Sequence, residues 1–326
     1  VINMELLTQQ KYNDFSANFA KNNQQSNINA PINYNNKEEK KLMTKLKAHN
    51  FFKLINIIGT KKRQGDIIGF FPPIAGNTNT EQKERTLHDV FKGKGRKYHN
   101  EKVFFDTAIS WQKLDALAEE NTDDFEALLA NHLDNNTISA LLIMAWNGTS
   151  RAVDSNFSDN PLLQDVKKGL LQKIREESPN NVLSSVKIGK GQAHLTTDSA
   201  IKAALNKIPE AYAKSGELIA ICGRDIISNH PIKFDESNLQ NRVIYSQQQI
   251  GGLRAINVPY FPDNTILITP LNNLSLYYQT GTMRRLLRNE SQKDRIENYF
   301  SMNLDFIIEN NESAVLIENI TFEDAN

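Results

Sequence analysis

The segment that most limits how this chain can fold is one long run of helical spacing. Thr122, Asp123 and Asp124 form an N-terminal capping signal whose acids complement the helix dipole. After them Phe125, Leu128, Leu129, His132, Leu133, Ile138, Leu141, Leu142 and Ala145 recur every three to four residues as far as Gly148. About 25 residues at 1.5 Å each span roughly 37 Å, so this helix is a spine on which other elements must lie. The rest of the 326 residues, enough for about two domains, has to be arranged around it.

Upstream, Leu7, Lys11, Phe15 and Phe19 are spaced for a short amphipathic helix over residues 4–20 that would pack against a partner. The first 36 residues hold ten Asn and four Gln, and residues 21–36 have too few apolar groups to offset their ordering entropy. They predict a flexible arm. Residues 51–58 predict a strand, 59–66 a turn, and 67–108 a long hairpin with a polar tip rich in Lys, Arg and Gly. Asn160 and Pro161 predict the start of another helix, carrying Leu162, Leu163, Val166, Leu170, Leu171 and Ile174 on one face until Pro179. Residues 197–290 predict helix and strand in mixture, with a helix at 198–206 and buried strands at 217–222 and 265–269. Two β-rich runs, 303–308 and 314–320, close the chain.

Little of this supports catalysis. Cys222 is the sole cysteine, which excludes an internal disulfide framework and every multi-Cys zinc site, and its apolar strand predicts a buried thiol. His49, His88, His99, His132, His194 and His230 are scattered without metal-ligand spacing. The carboxylate pairs Glu119/Glu120, Asp123/Asp124 and Glu176/Glu177 are sequence neighbours, which do not face each other on a helix. Residues 93–97 (GKGRK) and 189–191 (GKG) lack the remainder of a phosphate loop. No cofactor or metal is expected. The strongest apolar stretch, 138–146, is about half of a bilayer span, and residues 1–20 lack the apolar centre of a secretion signal, so no membrane association is expected. Lys+Arg and Asp+Glu are 38 each, so any nucleic-acid site has to be local. The candidate is the basic tip, residues 83–102, with Phe91 and Tyr98, and a nucleic-acid-binding protein is the alternative function. A third is an enzyme using a pocket around Cys222.

Residues 146–184 (WNGTSRAVDSNFSDNPLLQDVKKGLLQKIREESPNNVLS) resemble, without gaps, the segment after the long helix in major capsid proteins of Peduovirus-type tailed phages. Residues 258–308, with VPYFP, LSLYY, an arginine pair and SMN, resemble the C-terminal region of the same family. Shorter likenesses at 54–58 and 244–252 keep the same order. The resemblance implies an α+β fold of the Hong Kong ninety-seven type. Its parts would be an N-terminal segment and arm (1–58, of which about 1–32 is removable and scaffold-interacting), an E-loop hairpin (59–108), a peripheral domain with the spine helix (109–196), an axial domain (197–289) and closing peripheral strands (290–326).

It also implies a non-enzymatic major capsid subunit that forms hexamers and pentamers and then an icosahedral head in the virion, after a stage in the host bacterial cytoplasm. The implied partners are other copies of the chain, an internal scaffolding protein with its protease, a portal protein, and packaged double-stranded DNA held without sequence specificity. Proteolytic trimming would fall among Ile28, Asn29, Ala30, Pro31, Ile32, Asn33 and Tyr34. Inter-subunit contacts are expected from Arg85, Lys92, Lys94, Arg96 and Lys97 of the hairpin. A second set is Arg284, Arg285, Arg288, Asp294, Arg295 and Glu297.

Overall fold

The structure is a computed structural model and describes residues 4–67, 69, 75–85, 95–120, 124–229 and 249–323. The N-terminal region supplies α1 (Leu6–Asn22), β1 (Ile32–Asn33) and α2 (Asn36–Ala48). A 3-10 turn at Phe52–Leu54 leads into β2 (Asn56–Thr60) and β3 (Gln64–Asp66), followed by β4 (Lys97–His99), β5 (Glu101–Phe104) and β6 (Thr107–Ser110). Next come α3 (Trp111–Glu120), α4 (Phe125–Asn147), α5 (Leu170–Glu177), β7 (Val182–Ser184) and β8 (Lys187–Gly189). Then follow α6 (Thr197–Leu205), α7 (Glu210–Ala213), β9 (Leu218–Cys222), α8 (Arg224–Asn229), β10 (Gln249–Ile250), β11 (Leu253–Asn257) and β12 (Ile266–Pro270). The last strands are β13 (Leu274–Gln279), β14 (Arg284–Glu290), β15 (Arg295–Ile308), β16 (Val315–Glu318) and β17 (Thr321–Glu323).

β15 organises the larger, seven-stranded sheet. Its C-terminal half pairs with β13 and its N-terminal half with β14 on one side, while β5 and β6 pair with it on the other. β2 adds parallel to β13, and β1 adds antiparallel to β14 through Ile32↔Arg285. The second sheet runs β10-β11-β9-β12-β16-β7, and β3 with β4 forms a separate antiparallel ladder at the base of the hairpin.

Side-chain alternation explains why the six-stranded sheet sits inside the molecule. Ile219, Ile221, Leu267 and Leu316 point into the core shared with α4, α5 and the large sheet. Their neighbours Ala220, Cys222, Ile266, Ile268, Val315 and Ile317 point the other way, against Ile201, Ala204 and Ile208. Both faces are therefore covered, which is why these strands read as unbroken apolar runs. α4 is likewise buried on more than one side. Phe125, Leu129 and Leu133 meet Tyr12 and Phe15 of α1 and Trp111 and Leu114 of α3, whereas Leu141, Leu142 and Trp146 enter the main core.

Several expectations change. Residues 21–36 are not a loose arm: α1 runs to Asn22, Asn35 caps α2 by accepting from the Lys37 and Glu38 amides, and Ile32 and Tyr34 are buried. The helix expected from Asn160 begins only at Leu170, because residues 161–169 return across the end of α4. There a Cβ on Gly148 would lie 1.9 Å from the Lys167 carbonyl oxygen, and one on Gly169 would lie 2.4 Å from that of Met144. Gly148 has extended backbone, so it serves close approach of two chain segments and not a left-handed helix cap. Thr122 and Asp123 of the expected cap lie outside the described residues. The boundary expected at 289/290 cuts the β14–β15 ladder, and β16 joins the six-stranded sheet, not the large one.

Candidate functional site

Three regions carry the charged residues that the sequence singled out: the β14–β15 ladder, the base of the hairpin, and the link between α1 and β1. In the ladder Arg284, Leu286 and Arg288 stand opposite Ser301, Tyr299 and Glu297 on the outer face, while Arg285 points inward. Arg295 donates to Glu297 at 2.5 and 2.9 Å, and the Tyr299 hydroxyl donates to the same carboxylate at 2.5 Å. The Tyr299 hydroxyl and then the Arg295 charge pull the Glu297 carboxyl down to about 2. Arg288 pairs with Glu290 at 3.0 Å. Asp294 occupies the β14–β15 turn at φ +48°, and its carbonyl accepts from the Trp111 amide.

Arg285 is a correction. It is 3% exposed and lies 3.3 Å from Asp134, so it is spent inside its own subunit. Its guanidinium lies 4.7 Å from the ring centre of Phe300, 5.7 Å from Tyr34 and 5.9 Å from Phe19. Lys45 of α2 reaches the other Asp134 oxygen at 2.6 Å. Burial pushes the Tyr34 phenol above its usual range, so it stays neutral in this box. A cleft of about 290 Å³ opens above these groups between α1, α2 and α4.

At the hairpin, Arg85 and Lys97 are exposed, and Lys92 and Lys94 lie outside the described residues. Arg96 is engaged internally: it pairs with Glu177 of α5 and donates to the Ile308 carbonyl at 2.8 Å and to that of Glu309 at 3.2 Å. Tyr98 is buried against Tyr277 at 5.0 Å between ring centres, so it offers no free face to a base. Beneath them Lys167 bridges Glu101 at 2.5 Å and Asp305 at 3.0 Å, and Lys173 reaches Asp305 at 2.9 Å. Burial pushes the Lys173 amine below its usual range, against the pull of Asp305. Sequence inspection missed this cluster, since Glu101, the Lys167/Lys173 pair and Asp305 are about 70 to 200 positions apart and come together only through the β5–β15 pairing and the packing of α5 on β15.

In the N-terminal link, Ile28, Asn29 and Pro31 are exposed and Ala30 is half-buried, with no regular structure. Ile32, Asn33 and Tyr34 differ. The first two pair with β14, Ile32 and Tyr34 are buried, and the Tyr34 amide donates to the Met283 carbonyl at 3.0 Å. Only the first part of the expected cleavage region is presented at the surface, as an accessible turn.

Cys222 is fully buried, and burial with the nearby Asp225 charge pushes its thiol up to about 12, the opposite of what a nucleophile needs. A recess of about 500 Å³ lies along β7 and β8 beside His194 and Lys207, and Cys222 does not line it. Among the described residues no group of three His, Cys, Asp or Glu side chains is placed to hold a metal.

The phage major capsid protein model of the P2 family matches residues 11–320. The chain is 34% identical over 303 residues to the capsid proteins of Escherichia phage P2, covering 86% of this chain and 84% of that one. It is 31% identical over 296 residues to the major capsid protein of Serratia phage KSP20, covering 84% of each. Its structure is similar to a chain of the satellite phage P4 procapsid that includes the size determination protein, with a TM-score of 0.77 and 32% identity over 87% of this chain and 99% of that one. The α+β fold is thus the expected tailed-phage capsid type, and by sequence and by structure the chain belongs to the P2 family of phage major capsid proteins.

Proposed function

We propose that this subunit forms hexamers and pentamers that close into an icosahedral head around double-stranded DNA, and that it assembles as a precursor on an internal scaffolding protein. The observation that carries this is the likeness to a procapsid chain along nearly the whole of that chain, at an identity that makes the two relatives. Its role in the virion is structural, as it is for the family. Before assembly it resides in the host cytoplasm, and one vertex of the shell meets a portal protein. Exposure of residues 28–31 between a docked helix and a pinned strand supports trimming there by the scaffold's protease. In this scheme the β3–β4 ladder is the base of the E-loop, α4 the peripheral spine, and the six-stranded sheet with α6 and α7 the axial domain.

Nucleic-acid recognition by the basic tip is disfavoured, because Arg96 and Tyr98 are already committed within the subunit. The deciding experiment is to express the full chain with and without its scaffolding protein and examine mass and shape by light scattering and negative-stain microscopy. Closed shells or capsomer rings support the proposal. A stable monomer in both samples overturns it.

A further inference from the structure

The loop between α4 and α5 is built to hold apolar groups in solvent. Val153 is fully exposed and Phe157 is 68% exposed, yet the loop around them is tied at many points. The Thr149 and Ser150 amides donate to the Gln164 carbonyl, the Ala152 amide to that of Asp165, and the Asn156 amide to the Asp165 carboxylate at 2.7 Å. Arg151 anchors its base by donating to the Lys102 and Val166 carbonyls and lying 3.6 Å from Glu101. Leu163 closes it in the left-handed region at φ +57°, a conformation that costs a branched residue energy. Single exposed apolar residues are ordinary, but a strained, hydrogen-bonded tongue that presents two of them beside Asp154 and Asp159 has the form of a contact.

A surface of matching character lies on the outer face of the large sheet. Phe104 is 61% exposed and Tyr299 is 40% exposed, and Leu286 faces Tyr299 across the ladder. Phe104 and Arg284 both pair with Ser301, from opposite sides of β15, which puts them in one row. Lys102 sits beside this row with its amine 5.0 Å from the Phe104 ring centre. Arg284 and Lys102 form no ion pair with any described residue, and Lys102 feels the Asp106 carboxylate only through space, so the apolar strip carries two exposed positive charges.

We propose that the tongue at residues 149–163 of one subunit seats on the Phe104–Tyr299 face of a second copy, with Asp154 and Asp159 meeting Arg284 and Lys102. The charges are opposite and both surfaces centre on exposed aromatic or aliphatic groups, the composition of an interface core with a charged rim. Arg151 fixes the tongue next to the subunit's own β5 without covering Phe104. Each copy thus carries donor and acceptor surfaces side by side. Repeated from the donor of one copy to the acceptor of the next, as a capsomer requires, the contact is head-to-tail and closes into a ring when the rotation allows.

The inference rests on the proposal that the chain forms shells, and the test separates the two. Full-length chain is expressed with its scaffolding protein, and shells are counted by light scattering and negative-stain microscopy for four samples: unaltered, Asp154→Arg/Asp159→Arg, Lys102→Asp/Arg284→Asp, and all four changes together. Each pair should lose at least about tenfold in shell yield, and the combination should regain most of it. Melting curves of the subunits should change little, since all four side chains are exposed and the hydrogen bond lost between the Asn156 side-chain amide and Asp159 is itself exposed. If a charge variant melts early, Phe157→Ser, at a mostly exposed position, reads the same interface and should also lose shells. Unchanged shell yield in either pair, or no recovery in the combination, overturns the docking and leaves assembly standing. Absence of shells from the unaltered chain overturns the assembly proposal and the docking with it.

Discussion

Arg284, Arg285 and Arg288 lie within five positions, and the pleat of β14 alone decides which of them reaches solvent. Arg285 turns inward between three aromatic rings and Asp134. Arg285→Ala should cost about 3–5 kcal/mol in chemical denaturation, because it removes one partner of a buried pair, and Arg285→Met should cost clearly less because it keeps the packing. On the outer face, Glu297 has its carboxyl depressed from 4.5 to about 2. A carboxyl with a depressed folded value stabilises the fold above the unfolded value, and that contribution disappears as pH falls from 4.5 toward about 2. Tyr299→Phe removes the larger cause, so a carboxyl titration followed by NMR should show Glu297 moving up toward 4.5. The basic run at 284–295 was visible in the sequence. The inward turn of Arg285 was not, because it depends on a strand register set by residues far away.

The elements that the sequence announced best were those whose period stands alone: α4, α6, β9 and β12 all lie within a residue or two of their expected bounds. The failures share a cause, which is a tertiary contact overriding a local pattern. Residues 161–169 have helical spacing but are held as turns by the crossing at Gly148 and Gly169. Gly148→Ala forces two backbones apart and should destabilise the protein by about 1–3 kcal/mol or more, measured by urea unfolding. α1 differs from expectation in a related way: it packs on α3 and α4 of its own chain through Tyr12 and Phe15. Removing residues 4–31 exposes that apolar seat, so the melting temperature should fall by several degrees, at about 1.5–3 kcal/mol of lost burial per large side chain. A truncated chain that melts as the full one does would restore the picture of a detached arm.

Across the whole molecule charge is balanced, and the fixed cations at the hairpin base are turned to internal acids. The subunit should therefore show only weak DNA binding at physiological salt, and Arg96→Ala should loosen the hairpin base in hydrogen exchange without changing that binding. The topology also bears on how the chain comes to fold. β15 must be in place before β5 and β6 have a partner, and β2 waits for β13, roughly 200 positions later in the chain. At about 5–20 residues per second, synthesis of the strands that complete this sheet trails that of the first ones by roughly 10–40 s. For that interval unpaired strand edges and the apolar side of α4 stand open on the ribosome, and contacts so distant in sequence then form slowly. Every copy of the chain meets this delay, so a shell built from many copies can accumulate no faster than its subunits close this sheet.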